Sequence, residues 1–206
     1  MKRLIDFLIA LTALALLSPI FLWVAYKVRK NIGSPIFFLQ ERPGKDAKIF
    51  KMIKFRSMLN AIDKEGNPLP DDQRITPFGH KLRSTSLDEM PQLINVLKGD
   101  MSIVGPRPQM KEFLEHYTPH QMRRHEVKPG MTGLAQVNGR NHLSWEEKFD
   151  LDVQYVDTQS ILLDFKIMIK TVKVMRSKEG INAPDREVGA TRFSSQSISR
   201  ADSSQK

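Results

Sequence analysis

FLIALTALALLSPIFLWVAY, residues Phe7 to Tyr26, holds no charged side chain. As a helix, a run of this length measures about 30 Å, enough to cross the hydrocarbon core of a bilayer. It follows Met1-Lys2-Arg3, a basic start like that of a signal peptide. No small-residue cleavage site follows, and the run is longer than a usual signal core, so the segment reads as retained. Ser18-Pro19 interrupts it. Proline removes a backbone N–H and clashes with the carbonyl four residues back, which predicts a bend. Lys2 and Arg3 precede the run, and Lys27, Arg29 and Lys30 follow it. Basic flanks on both sides would hold both ends at the cytoplasmic face. Two forms satisfy the pattern: a re-entrant helix that turns at Ser18-Pro19, or a plain transmembrane helix with a tolerated proline.

The chain has 206 residues, no cysteine and a formal net charge of +9. That length suits one domain of ordinary size with a short appendage. Disulfides, thiolate metal sites and cysteine nucleophiles are excluded. The charge favours an anionic partner, whether nucleic acid, a membrane surface or a phosphorylated substrate. The apolar segment turns the choice away from nucleic acid.

Beyond residue 30, two apolar runs, 36–39 and 49–55, flank the turn residues Arg42-Pro43-Gly44-Lys45-Asp46 and predict a β-hairpin. Residues 60–79, rich in Gly and Pro, read as a loop. Helices are expected from Ser86 to about Lys98, over 110–124, from Trp145 to about Thr158 and from Ile161 to Met175. In the last of these, Lys166, Lys170 and Lys173 share one face and Leu162, Phe165, Ile169 and Val172 another. That pattern suits either an anionic membrane interface or a surface helix covering the core. From Ser177 the chain turns polar, and its end is expected to be disordered. The fold class is therefore α+β and mainly helical, with a small β-hairpin and interfacial amphipathic helices. Its divisions are 1–30 membrane helix, 31–180 catalytic domain and 181–206 polar tail.

The chemistry-bearing stretch runs from Leu82 to Leu93, LRSTSLDEMPQL. Ser86 and Glu89 have the spacing of a capping box, which by itself marks only a helix start. Asp88 and Glu89 would then stand in a first helical turn, where the helix dipole favours negative charge. An aspartate there stays ionised and is usable as nucleophile or metal ligand. Adjacent carboxylates point about 100° apart, which favours divided roles over shared chelation. Arg83, just upstream, is placed to neutralise a phosphate oxygen.

In Gly105-Pro106-Arg107-Pro108 an arginine is held on a stiff backbone, suited to gripping a phosphate, though an exposed structural turn reads the same way. Gly130 to Asn141 is glycine-rich but matches no established phosphate loop. It offers backbone amides and Arg140 to a diphosphate. Asp150-Leu151-Asp152 matches the D-x-D string of metal-dependent glycosyltransferases. On a helix, however, its carboxylates point about 200° apart and cannot share an ion. Asp152 has Lys148 as a candidate helical partner. His116, His120 and His125 show no ligand spacing and read as surface residues, so no zinc is assigned.

Taken together, these motifs resemble the bacterial sugar transferases, the small monotopic phosphoglycosyl transferases, from residue 1 to about 180. Those that carry the resemblance are Ser18-Pro19, the Asp88-Glu89 stretch, Lys98-Gly-Asp-Met-Ser, Gly105-Pro-Arg-Pro and the run from Lys128 to Arg140. The short form looks most like enzymes that load N-acetyl-bacillosamine-type phosphosugars onto undecaprenyl phosphate. The resemblance implies that Asp88 is the nucleophile toward the β-phosphate of a UDP-sugar and that Glu89 assists. It implies Mg2+ beside Asp88, a re-entrant helix, and an active site at the cytoplasmic face of the bacterial inner membrane. By extension, Lys54, Arg83, Arg107, Arg140 and Asp152 are binding residues. The expected partners are the UDP-sugar, undecaprenyl phosphate and membrane lipid, with no nucleic acid; a homodimer is allowed for. Two other readings stand beside this one: a metal-dependent glycosyltransferase releasing UDP, and a non-enzymatic, membrane-anchored module that binds a polyanion.

Overall fold

A computed structural model describes residues 1–67, 69–139 and 143–177. It forms two compact units, one mainly Arg3–Gln40 with Lys51–Lys98, the other Glu41–Phe50 with the chain from Gly99 onward. Arg140 and the polar tail, 181–206, lie outside the described residues.

The first unit opens with α1, Lys2–Asn31, which runs on through Pro19. Pro19 has no N–H to give the Ala15 carbonyl, and the Ser18 hydroxyl donates to that carbonyl instead, at 2.8 Å. Most of the helix is apolar and exposed; Leu16 and Leu22 are 74% and 68% exposed. It is long and apolar enough to cross a membrane. Its two ends are different: near the start Asp6 and Ala10 are buried and Arg3 donates to the Val96 and Leu97 carbonyls. Toward the other end Val24, Val28 and Ile32 are buried with Phe55, Leu82 and Met90. Phe21, Phe37 and Phe55 cluster there, with Phe21–Phe55 centroids 4.8 Å apart.

The expected hairpin is present as β1, Phe37–Pro43, paired with β2, Ile49–Phe55. Part of the expected 60–79 loop is helical: α2 covers Asp71–Arg74 and α3 covers Pro77–Ser84. The signal lay in Thr76-Pro77. The Thr76 hydroxyl accepts from Gly79 N at 3.0 Å, and Pro77 sits in the first turn, where a missing N–H costs nothing. The expected Ser86–Lys98 helix is divided. A 3-10 turn spans Leu87–Glu89 and α4 spans Gln92–Lys98. Pro91 cannot donate to the Leu87 carbonyl, which takes Met90 N at 3.3 Å. The buried Asn95 joins α4 to β2: it accepts from Ile53 N at 2.9 Å and donates to Lys51 O at 2.8 Å.

In the second unit, β3, Ser102–Val104, pairs in parallel with a later strand, Gly130–Thr132, in register Ser102 with Gly130. Between them, the expected 110–124 helix is broken. Lys111–His116 forms 3-10 turns, α5 covers only Pro119–Met122, and further 3-10 turns follow over Arg123–Glu126. Thr118 and Gln121 build a capping box that starts the chain afresh at Pro119. The later strand is β4. After it come α6, Leu134–Val137, α7, Trp145–Thr158, and α8, Ile161–Ser177. α7 buries Phe149, Val153 and Tyr155, while Leu162, Phe165, Ile169 and Val172 of α8 are exposed. α8 covers the core through Ile167, with Leu163 and Met168, and leaves those four apolar residues exposed.

Glycines bring the 105–108 turn and the 130–133 segment into backbone contact. A Cβ on Gly130 would lie 2.1 Å from Gly105 N, and one on Gly105 would lie 2.4 Å from Lys128 O. Gly105 N donates to Thr132 O and Gly130 N to Pro106 O, both at 2.9 Å. Gly130→Ala is therefore expected to destabilise the protein by about 3 kcal/mol or more, since overpacking against backbone has no cheap relief. Thermal unfolding in detergent measures this, and an unchanged midpoint would contradict it.

Candidate active site

Asp88 stands in the short turn that opens the Asp88-Glu89 stretch and is 4% exposed. The anticipated capping box is absent. Ser86 takes a left-handed backbone, φ 56° and ψ 15°, with no side-chain cap bond. A non-glycine residue in that region costs roughly 1–3 kcal/mol, so the preceding strain holds the turn in an unusual shape. The helix-dipole argument for Asp88 also lapses, because the turn is three residues long and α4 starts only at Gln92.

Two cationic residues of the same unit stand in this neighbourhood. Lys54 of β2 donates to Glu89 Oε1 at 3.2 Å, a largely buried pair. Arg83 of α3 donates from Nε to Ser57 Oγ at 2.9 Å, which orients its guanidinium. Lys54, Arg83, Asp88 and Glu89, all expected site residues, therefore fall in one unit, on β2, α3 and the turn after α3. Ser57 was not foreseen: a lone serine after a strand carries no motif.

Arg107 and Asp152 belong to the second unit. Asp152 is buried on α7 and accepts from Arg124 at 2.7 Å, not from Lys148. Lys148 lies instead over the Trp145 ring, 4.5 Å from its centroid. Asp150 points to solvent and faces His120 at 3.3 Å, so the D-x-D string is split as helical geometry requires. Burial pushes the Asp152 carboxyl above its usual range, and the Arg124 charge opposes that push. Arg124 was missed because it belongs to no motif, and its partner lies 28 residues away.

His125 is a correction: it is buried, not a surface residue. Its Nδ1 stands 3.1 Å from Gly44 O, and since a carbonyl only accepts, Nδ1 carries the proton. Burial, and then the Arg124 charge, push its pKa down to about 4. Among the described residues, no group of three or more His, Asp or Glu forms a metal cage.

Comparison with known proteins decides the family. The bacterial sugar transferase model matches residues 1–178. The chain belongs to the bacterial sugar transferase family. The expectation of a phosphoglycosyl transferase is met at that level. The chain is 52% identical to "Uncharacterized sugar transferase EpsL" of Bacillus subtilis, over 94% of this chain and 95% of that protein. It is 44% identical to the UDP-glucose:undecaprenyl-phosphate glucose-1-phosphate transferase of Klebsiella pneumoniae, over 83% of this chain and 39% of the relative. It is 39% identical to the undecaprenyl-phosphate galactose phosphotransferase of Salmonella typhimurium, over 87% and 41%. The chain thus spans about two-fifths of the length of these last two relatives.

The depressed His125 pKa sets a direction for stability. The unfolded state takes up its proton near pH 6.5 and the folded state only near 4. Stability from this group is present above 6.5 and is lost as the pH falls toward 4. His125→Asn keeps a donor for Gly44 O but does not titrate. The melting temperature of this variant should fall less between pH 7 and 4.5 than that of the unaltered chain.

Proposed function

We propose that the chain transfers a sugar 1-phosphate from a UDP-sugar to undecaprenyl phosphate, giving undecaprenyl-diphosphate-sugar and UMP. The observation that carries this reading is a buried Asp88 beside a Glu89–Lys54 ion pair, in a chain of this family. Asp88 attacks the β-phosphorus. Its Oδ–P bond forms as the P–O bond to the α-phosphate breaks, and UMP leaves. The phosphosugar then rests on the carboxylate as an acyl phosphate. An oxygen of undecaprenyl phosphate attacks the same phosphorus and Asp88 departs as a carboxylate. Splitting the reaction means the two bulky anions never need the site together.

Lys54 and Arg83 supply positive charge for the phosphoryl oxygens, and Glu89 keeps Lys54 in place. Mg2+ is bound in proteins through one or two carboxylates plus substrate phosphates, and the Asp88 carboxylate would supply the protein's share of that donor set. When bound, the ion adds charge neutralisation at the diphosphate. Arg107 and Arg140 are assigned to the anionic donor substrate. The donor sugar is proposed to be an N-acetylated amino-deoxysugar. The names of two relatives carry glucose and galactose, so a deciding panel includes those UDP-sugars.

The site is proposed to lie at the cytoplasmic face of the inner membrane, with α1 entering the bilayer, turning at Ser18-Pro19 and returning. The exposed apolar face of α8, edged by Lys166, Lys170 and Lys173, supports an interfacial seat on anionic lipid.

Two experiments test these proposals. With a UDP-sugar and undecaprenyl phosphate, the nucleotide released should be UMP, and Asp88→Ala should lower turnover at least ~1,000-fold. Label from a β-32P donor should be trapped on the protein and lost with Asp88→Ala. UDP as the product, or full activity without Asp88, would reject the mechanism. The topology is tested separately, because the chain has no cysteine of its own. Lys2→Cys and Arg29→Cys, made singly, should both react with an impermeant maleimide from the cytoplasmic side. Labelling from opposite sides would establish a plain span.

A further inference from the structure

The second unit buries a guanidinium. Arg124 is 2% exposed. Its Nε and Nη2 donate to Asp152 Oδ2 at 3.1 and 2.7 Å. Its Nη1 donates to the Tyr117 hydroxyl at 2.9 Å. Nη2 also donates to the main-chain carbonyl of Arg107, at 2.6 Å. The rings of Tyr117 and Phe149 flank the cation, their centroids 5.5 and 5.4 Å away.

The bond to Arg107 is the informative one. Prolines on both sides fix φ at residues 106 and 108, so ψ of Arg107 is a principal remaining freedom of the turn. A hydrogen bond to the Arg107 carbonyl fixes that peptide plane, and with it the direction in which the Arg107 side chain leaves the backbone. On the other flank, Gly130 N holds the Pro106 carbonyl at 2.9 Å. Stability alone does not call for this arrangement. A buried ion pair replaced by apolar side chains of similar volume is often as stable or more so. Apolar side chains cannot donate to a carbonyl.

We propose that Arg124 is a positioning residue that fixes Arg107 through its carbonyl for the phosphates of the nucleotide sugar, and that Asp152 acts through Arg124 instead of touching substrate. The inference rests on the transferase reading for its substrate, but the fixing of the turn is measurable without turnover. The informative variant is Arg124→Met/Asp152→Leu, which removes both charges and preserves volume. It should melt near the unaltered chain, yet lose about 10- to 100-fold in kcat/KM for the UDP-sugar, the scale of a misplaced binding group. Amide hydrogen exchange over residues 103–109 should quicken. Adding Arg107→Ala should deepen the loss little beyond that of Arg107→Ala alone, because both changes remove one function.

Arg124→Lys guards against a double variant that does not fold. It keeps a cation for Asp152 but lacks the fork that reaches two acceptors, so the same loss and the same faster exchange are expected. Unchanged exchange over 103–109 in a folded variant overturns the inference whatever the activity. So does wild-type kcat/KM, or a loss fully additive with Arg107→Ala. If the unaltered chain releases no UMP, the transferase reading fails on its own, and exchange alone then decides whether Arg124 fixes the turn.

Discussion

A positive charge removed from water must be met by partners where it stands, and the second unit is organised around that requirement at Arg124. An isolated ion in a protein interior costs several kcal/mol even after relaxation. Arg124 therefore recruits a carboxylate from α7, a hydroxyl from the segment before α5 and a backbone carbonyl from the 105–108 turn. Segments distant in sequence converge on one planar group. Planarity matters: a guanidinium has donors in fixed directions, so its partners can stand in only a few places. A flexible ammonium would leave their geometry loose.

The first unit solves a different problem. There an acidic residue sits buried after a strained left-handed serine, and the adjacent glutamate neutralises a lysine from the neighbouring strand. Strain of this kind persists only where the surroundings over-determine it, and such positions concentrate at functional sites. The turn gains its shape from Ser86 and Pro91 on either side, not from belonging to a helix.

Legibility from sequence followed the range of the interactions. The apolar run of α1, the hairpin and α7 depend on local periodicity and turn chemistry, and these were readable. Where proline interrupts an otherwise helical pattern, as at Pro91 and Pro119, the pattern was extended too far, because a missing donor outweighs propensity. The candidate nucleophile and its basic neighbours were legible through motifs. The Asp152–Arg124 pair was not, because the residues lie 28 positions apart and Arg124 belongs to no motif. His125 escaped for the same reason: only its bond to Gly44, across 81 residues, reveals burial. Gly105 and Gly130 serve the close approach of two backbones, a long-range contact that no local motif announces.

The last third of α1 is at once part of an apolar rod and the roof of a core. Val24 and Val28 have no exposure and lie against Phe55, Leu82 and Met90. The rod and the globular part therefore share these residues. Cutting the rod away would not leave the globular part intact. It would strip the roof from that core and leave a sticky, half-built remnant.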